Sequence, residues 1–413
     1  MQLRLFASSH DRDAWKIRDF LTRSVVEFAW VPIDSEMQCL AALNLSVTDA
    51  HLPVVEFPNG TRLHDPTLQE VAARLGWISR PSRQEYDVSI YGAGPAGLSA
   101  AVYAASEGLS VALVERSAVG GQAGSSSLIE NYLGFPHGVR GAELAERARQ
   151  QAVAFGAEIL MLREGIRGRF EDHLLHADLA DGSTLTARSN ICATGVEWRR
   201  LGLPGEDRLL GAGLYYGAGT SEAPMCAGEH VFIVGGANSA GQAAMNLAQH
   251  AAHVTMLVRG ATLSDTMSEY LRVRVEANPR IDVRVHASVV DLVGEEQLEQ
   301  ITIEDSATGN RSKVKAAHLF VCIGGAPNTD WAADTAMLRD RLGFVITGPD
   351  IPAPEINARW PLTRHPFYLE STVPGSFAAG DVRASSVKRV ASAVGEGAMA
   401  VTFAHRYLAE TFG

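Results

Sequence analysis

The sequence predicts an α/β chain: two Rossmann-type domains with a smaller α/β domain in front of them. Three observations predict it. The strand-like run Asp87-Val88-Ser89-Ile90-Tyr91 feeds a glycine turn at 92–97 and then an Ala/Leu-rich helix. The same order recurs 143 positions later, where Val231-Phe232-Ile233-Val234 feeds a turn at 235–240. Ahead of both, residues 1–80 alternate strand and helix signals. At 413 residues the chain is too long for one core, so two or three domains are expected. An apolar content of 46% with 39 glycines suits an α/β protein with many tight turns.

The bulk numbers exclude several classes. A net charge of −11 argues against nucleic acid as a partner. The four cysteines, Cys39, Cys192, Cys226 and Cys322, come no closer than 34 positions, so no metal spacing and no Cys-x-x-Cys exists. Cys192 and Cys322 lie in apolar strand-like runs and read as core thiols; Cys226 reads as a lone loop or strand-edge thiol. Few, unpatterned cysteines suit a reducing cytoplasm. The start Met1-Gln-Leu-Arg-Leu lacks the features of a signal peptide. The most apolar stretch, 88–114, is broken by glycines, Ser89 and Glu107, so no membrane span is expected.

In the front domain the elements run strand Leu3–Ala7, helix Asp11–Leu21, strand Val25–Ile33, helix Glu36–Leu43, strand 52–57, strand Thr61–Leu63 and helix Pro66–Leu75. The order βαβαββα resembles the glutaredoxin/thioredoxin fold, and Pro53 falls where that fold places a cis-proline. The active Cys-x-x-Cys of that fold is replaced by Ser8-Ser9-His10-Asp11, so dithiol chemistry is excluded. Two roles stay open: a docking or dimer module, and a cover for apolar surface.

Residues 81–86 are a polar linker, and a nucleotide-binding domain begins at Asp87. In Gly92-x-Gly94-x-x-Gly97, the first glycine permits the tight turn, the second lets backbone approach a pyrophosphate, and the third lets helix and strand pack closely. The helix N-terminus then faces the phosphates. The next strand, Leu109–Val114, ends at Glu115, placed to bond a ribose hydroxyl 18 residues past Gly97.

The second turn, Gly235-Gly236-Ala237-Asn238-Ser239-Ala240, precedes a helix expected over Gln242–His250 and a strand over Val254–Val258. That strand ends at Arg259, a cation suited to a 2′-phosphate, which favours NADPH over NADH. Ala237 and Ala240 replace the second and third glycines, and Ala237 places a methyl where the pyrophosphate wants backbone.

From 86 to 413 the chain resembles thioredoxin reductase of the low-molecular-weight type. The match is carried by Gly92–Gly97, Glu115 with Gly120-Gly121-Gln122, Glu130-Asn131-Tyr132-Leu133-Gly134-Phe135-Pro136, Ala193-Thr194-Gly195 and Leu203-Pro204-Gly205-Glu206. Gly235–Ala240, Gly324-Gly325-Ala326-Pro327-Asn328 and Phe377-Ala378-Ala379-Gly380-Asp381-Val382 complete it. More narrowly, with Arg18–Arg23 and Leu52-Pro53-Val54-Val55, the chain is similar to such proteins carrying a glutaredoxin-like front domain. The resemblance implies an FAD domain in two segments, 87–200 and 326–413, a nicotinamide-nucleotide domain at 201–325, and a homodimer. For FAD it implies contacts from Gly92, Gly94, Pro95, Ala96, Gly97, Glu115, Arg116, Gly120, Gly121, Gln122, Asn131, Ala193, Thr194 and Gly195. Gly380 and Asp381, the latter at the ribityl chain, and Lys388-Arg389-Val390-Ala391 at a helix start complete that set. For NADPH it implies Gly235, Gly236, Asn238, Ser239, Ala240, Arg259, Ile323 and Gly324.

One feature of such enzymes is absent. The Cys-x-x-Cys that would take electrons from flavin falls on Gly217 and Thr220, in Tyr216-Gly217-Ala218-Gly219-Thr220-Ser221-Glu222. No side chain is therefore assigned as catalytic. The expected activity is NADPH-linked FAD oxidoreduction toward a non-disulfide acceptor, either a small molecule or a redox protein. Tyr215 or Tyr216 stacks on the flavin or packs between domains, and Glu222 reads as a single surface carboxylate. The alternative is a flavin-binding interaction or sensor protein with little NADPH turnover.

Overall fold

The computed structural model describes residues 2–8, 11–77, 80–217 and 222–413. The chain divides into two compact units. One comprises Met1–Leu75, Ser125–Leu128 and Trp198–Gly324; the other comprises Gly76–Gly124, Ile129–Glu197 and Gly325–Gly413. The front domain therefore shares a unit with the second glycine-turn domain, a grouping the sequence boundaries do not show.

The front domain contains β1 (Leu3–Ala7), α1 (Arg12–Arg23), β2 (Phe28–Pro32), α2 (Glu36–Leu43), α3 (Val47–Ala50), β3 (Val54–Glu56), β4 (Arg62–His64) and α4 (Leu68–Arg74). Its sheet order is β2-β1-β3-β4, with β2 parallel to β1 and the other two pairings antiparallel. The Leu52–Pro53 peptide is cis. Asp11 starts α1 by accepting from the amides of Asp13 and Ala14 at 2.9 and 3.0 Å. Ala14, Ile17, Phe20 and Leu21 are its buried apolar residues, at helical spacing. The turn α3, capped by Ser46, is an addition to the expected order. Ser9 and His10 lie outside the described residues.

The next segment supplies β5 (Glu85–Tyr91), α5 (Pro95–Ser106), β6 (Val111–Glu115), α6 (Gly121–Gly124), α7 (Gly141–Ala154), β7 (Glu158–Met161), β8 (Gly165–Glu171), β9 (Leu174–Leu179), β10 (Thr184–Cys192) and β11 (Val196–Trp198). The sheet order β7-β6-β5-β10-β9-β8 places β5 where the strand order reverses, the usual ligand crevice of such sheets. The strands β7, β6, β5 and β10 are parallel, and Val88, Ile90, Leu113 and Ile191 among them are fully buried.

The nucleotide part of the first unit follows: α8 (Glu206–Leu209), β12 (Leu214–Tyr216), β13 (His230–Val234), α9 (Asn238–Leu247), β14 (His253–Leu257), α10 (Glu269–Glu276), β15 (Ile281–Arg284), β16 (Ala287–Val293), β17 (Gln300–Asp305), β18 (Arg311–Lys315) and β19 (His318–Val321). Its main sheet, β12-β19-β13-β14-β15, is wholly parallel, with β13 at the order reversal. The helix expected at Gln242–His250 begins four residues earlier, at Asn238. The chain then returns through β20 (Gly325–Pro327), α11 (Ala353–Arg359), β21 (Ser376–Ala378) and α12 (Val390–Phe412). The strand β21 joins the larger sheet beside β10, and α12 packs along α5.

Candidate functional site

The turn between β5 and α5 is built by close backbone approach. Gly92 has φ +100°, and a Cβ there would sit 2.4 Å from the Ala193 carbonyl oxygen. A Cβ on Gly97 would sit 1.8 Å from the Gly92 oxygen. Gly94 is the N-cap of α5 and offers no side-chain cap, so the first amides of the helix remain available for an anion. Across from it, a Cβ on Gly121 would meet the Gly94 Cα at 3.1 Å, so the two loops form a backbone cradle with Gly120 and Gln122 beside it. Buried Glu115 closes the cradle: it accepts from the Ala93 amide at 2.7 Å and the Ser117 amide at 2.8 Å. Thr194 donates to the Asn328 oxygen at 2.8 Å, and the Gln122 amide donates to the Val196 oxygen at 2.8 Å, fixing the Ala193-Thr194-Gly195 stretch.

The segment Gly380–Val382 meets the same helix. A Cβ on Gly380 would lie 2.9 Å from the Ala96 Cβ, and one on Gly397 would lie 2.1 Å from the Ala96 oxygen. Asp381 therefore arrives at the N-terminal end of α5. Burial pushes its carboxyl above the usual range, against the pull of Lys388. Lys388 donates to the Asp381 carbonyl oxygen at 2.5 Å. Arg389 is the N-cap of α12, with Val390 and Ala391 in the first turn and no side-chain cap. Glu396, missing from the sequence-based set, organises this turn: it accepts from the Gly380 amide at 2.7 Å and from Arg383 at 2.6 Å. Its signal in the sequence is a charge between two glycines, Gly395 and Gly397, inside an Ala-rich helix.

The second turn repeats the construction. Gly235 has φ +143°, and a Cβ there would lie 2.4 Å from the Cys322 carbonyl oxygen. Ala237 is the N-cap of α9, at φ −98° and ψ −178°, close to the −72° and −177° of Gly94. Its methyl therefore costs no backbone strain, and it is exposed at the helix N-terminus. Ala240 is fully buried where Gly97 sits in the first turn. Asn238 is partly committed: its side-chain oxygen accepts from the Ser268 amide at 2.8 Å. Ser239 and Arg259 are exposed. Ile323 packs on the apolar cluster of the nucleotide part, and Gly324 ends that unit.

Some expected residues lie apart from the turns or have other partners. Arg116 pairs with Glu197 and, at 3.7 Å, with Glu164. Asn131 is exposed in the loop that also carries Leu133. Tyr215 is buried and stacked on Phe320 at 5.1 Å, and Tyr216 donates to Glu206. Glu222 is not a surface carboxylate; it is 4% exposed and hydrogen-bonded to Trp15. Cys226 takes the loop alternative rather than the strand edge, at the end of the 3-10 turn Ala223–Cys226, and is fully buried there. Gly217 is described and its amide bonds the Val321 oxygen; Ala218–Ser221, including Thr220, lie outside the described residues.

The model of the pyridine nucleotide-disulphide oxidoreductase family matches residues 86–397. The chain belongs to this family. It is 34% identical over 324 residues to the thioredoxin reductase of Treponema pallidum (strain Nichols), covering 78% of this chain and 97% of that protein. It is 30% identical over 346 residues to the NADH dehydrogenase of Bacillus subtilis (strain 168), where it spans 63% of that protein's length and 83% of its own. The structure of T. acidophilum thioredoxin reductase superposes with a TM-score of 0.70 at 28% identity, over 80% of this chain and all of that one. A family member of this type is an NAD(P)H-dependent flavoprotein oxidoreductase, with FAD and a nicotinamide nucleotide as cofactors. The first turn fits FAD on its own geometry, with a cradle any Cβ would fill, an uncapped helix end and two nearby carboxylates.

The thiols of this family member are inert by environment. All four are buried, and burial pushes Cys322, and with the Glu222 charge Cys226, up to about 12. At pH 8 about one thiol in 10,000 is then a thiolate at such a site, and the thiolate is the reactive form. Ellman's reagent should therefore titrate far less than one thiol per native chain within minutes, and all four after unfolding. Rapid release of two equivalents from the native chain would contradict this. Among the described residues no helix is long and apolar enough to cross a membrane, and no cluster of ligands could hold a metal ion.

Proposed function

We propose that the chain passes electrons from NADPH through FAD to an acceptor that is not a disulfide. The observation that carries this reading is the cysteine set: four single, buried thiols, with Gly217 and Thr220 at the positions expected for a redox pair. FAD, when bound, supplies the redox chemistry; the chain binds and orients it. In this reading the 92–97 backbone and the start of α5 hold the pyrophosphate, Glu115 the ribose, Asp381 the ribityl chain, and the start of α12 faces the pyrimidine. Arg259 takes the 2′-phosphate, supported by its exposure at the end of β14. The front domain is a glutaredoxin-like module without the active cysteine pair, its single thiol, Cys39, lying buried in the core; the reading is supported by its sheet order and the cis Pro53. The working form is a cytoplasmic homodimer, and the acceptor is a quinone, dioxygen or a redox protein.

Anaerobic mixing with NADPH tests the core of this. The flavin band should bleach rapidly, and a screen of ferredoxin, flavodoxin, quinones, dioxygen and thioredoxin against the reduced protein should reoxidise it with at least one partner other than thioredoxin. No bleaching over minutes would favour a flavin-binding sensor, the reading to which the exposed Ala237 methyl contributes. Arg259→Ala should raise KM for NADPH about 10- to 100-fold, the size of one charge-assisted hydrogen bond, and leave KM for NADH within about twofold. Equal changes in both would remove Arg259 from the 2′-phosphate.

A further inference from the structure

The motif Arg18–Arg23 has no part in either nucleotide turn, yet α1 is buried on two faces. Ala14, Ile17, Phe20 and Leu21 pack into the front domain. Trp15 and Arg18, three residues apart and so on one helix face, point at the nucleotide part of the same unit. The Trp15 indole Nε1 donates to Glu222 Oε1 at 2.6 Å. Arg18 Nη2 lies 3.8 Å from the same oxygen, with both side chains only 6% exposed. Arg18 also reaches the Met225 sulfur and lies over the Trp30 ring at 5.3 Å. The Trp15 ring packs on the apolar cluster that holds Tyr215, Ala223 and Cys226, with the Tyr215 ring 6.3 Å away. Gly211 completes the seat: a Cβ there would meet the Trp15 ring at 3.1 Å.

We infer that α1 latches the front domain to the nucleotide part through Trp15, Arg18 and Glu222, and that the front domain is a fixed brace rather than a tethered carrier. What it braces is the turn Ala223–Cys226, which leads into β13 and so into the glycine turn at 235. Glu222 is the joint: its carboxylate holds the front domain while its carbonyl oxygen accepts from the Met225 amide at 2.8 Å and faces the Cys226 thiol at 3.5 Å. Opening the latch must therefore expose Cys226. The α1 face is occupied by the chain itself and is closed to other proteins. The latch is independent of which acceptor the flavin serves.

Two measurements on the full chain test it. A protease site inserted between Arg80 and Pro81 is cut in the folded protein; the front fragment should stay bound through size-exclusion chromatography. Alkylation of each cysteine is then followed by mass spectrometry. Trp15→Phe, which keeps a ring and removes the N–H, and Glu222→Gln should each speed labelling of Cys226 about tenfold or more, the scale of one lost charge-assisted hydrogen bond. Cys192 in the other unit should label at the wild-type rate. Separation of the nicked wild-type fragments, unchanged Cys226 labelling in both variants, or an equal rise at Cys192 overturns the latch.

Discussion

Gly97→Ala should leave the chain largely without FAD. The new methyl carbon would stand 1.8 Å from the Gly92 oxygen and 3.0 Å from its carbonyl carbon. Both are backbone, and Gly92 is itself pinned, because its own Cα faces the Ala193 carbonyl at a distance no Cβ could share. Helix α5 cannot simply step back. On its other side Gly397 of α12 approaches the Ala96 carbonyl just as closely, and Ser99 donates to the Val394 oxygen at 2.8 Å. Overpacking of this kind costs about 1–3 kcal/mol, and more where only backbone can yield. Here the displaced atoms are the amides expected to face the pyrophosphate. The measurement is flavin absorbance per chain after gel filtration, with a thermal scan beside it. A wild-type flavin ratio would show that the helix accommodates the methyl. Ala240→Gly at the matching place of the second turn should leave flavin content unchanged, since Ala240 already fits there fully buried.

That contrast bears on what the sequence could disclose. Local signals read well. The glycine turns, the strand end at Glu115, the strand that stops two residues before Arg259 and the order of the front elements are all set by residues within a few positions of one another. The start of α9 was legible only in part. Asn238, Ser239 and Gly241 are poor helix formers and read as turn, but in the fold they make its first turn, where such residues are at home. The turn α3 gives no sequence signal, because one capped turn leaves no periodicity to detect. The burial of Glu222 is hidden from the sequence for a different reason. Its partner Trp15 lies 207 positions away, and nothing around Glu222 announces burial. Glu396 shares that property in a milder form, with donors 16 and 13 positions away, whereas the donors of Glu370 lie within six positions but in a loop whose shape no periodicity announces.

Removing the Glu370 carboxylate is expected to be the most damaging single change outside the glycine turns. The side chain is wholly buried and takes four donors: Arg364 Nη1 at 2.7 Å, Arg364 Nη2 at 3.0 Å, and the amides of Phe367 and Gly375, each at 2.9 Å. It thereby ties the 364–375 loop to the start of β21, the strand that runs beside β10 and delivers Gly380 and Asp381. Glu370→Ala leaves the Phe367 and Gly375 amides without an acceptor and takes from Arg364 the buried one of its two carboxylates; at about 1–3 kcal/mol for each unsatisfied buried group the loss is about 3–5 kcal/mol. At roughly 2–4 °C per kcal/mol for a unit of this size, the thermal midpoint should fall by roughly 10 °C, and FAD should be lost on dilution. Glu370→Gln is the sharper test. Glutamine matches the shape, but one of its two acceptor positions becomes an amide group that can only donate. Each oxygen takes one Arg364 N–H and one peptide N–H, so in either orientation the new amide group would face both, donor against donor. If charge and acceptor count hold the loop, Gln should be nearly as damaging as Ala. If side-chain volume holds it, Gln should behave as wild type. Arg364 keeps a second carboxylate at 2.8 Å in Glu410, so its charge stays paired in both variants, and any remaining difference between them reports on the one oxygen that Gln retains, with its guanidinium and backbone donors.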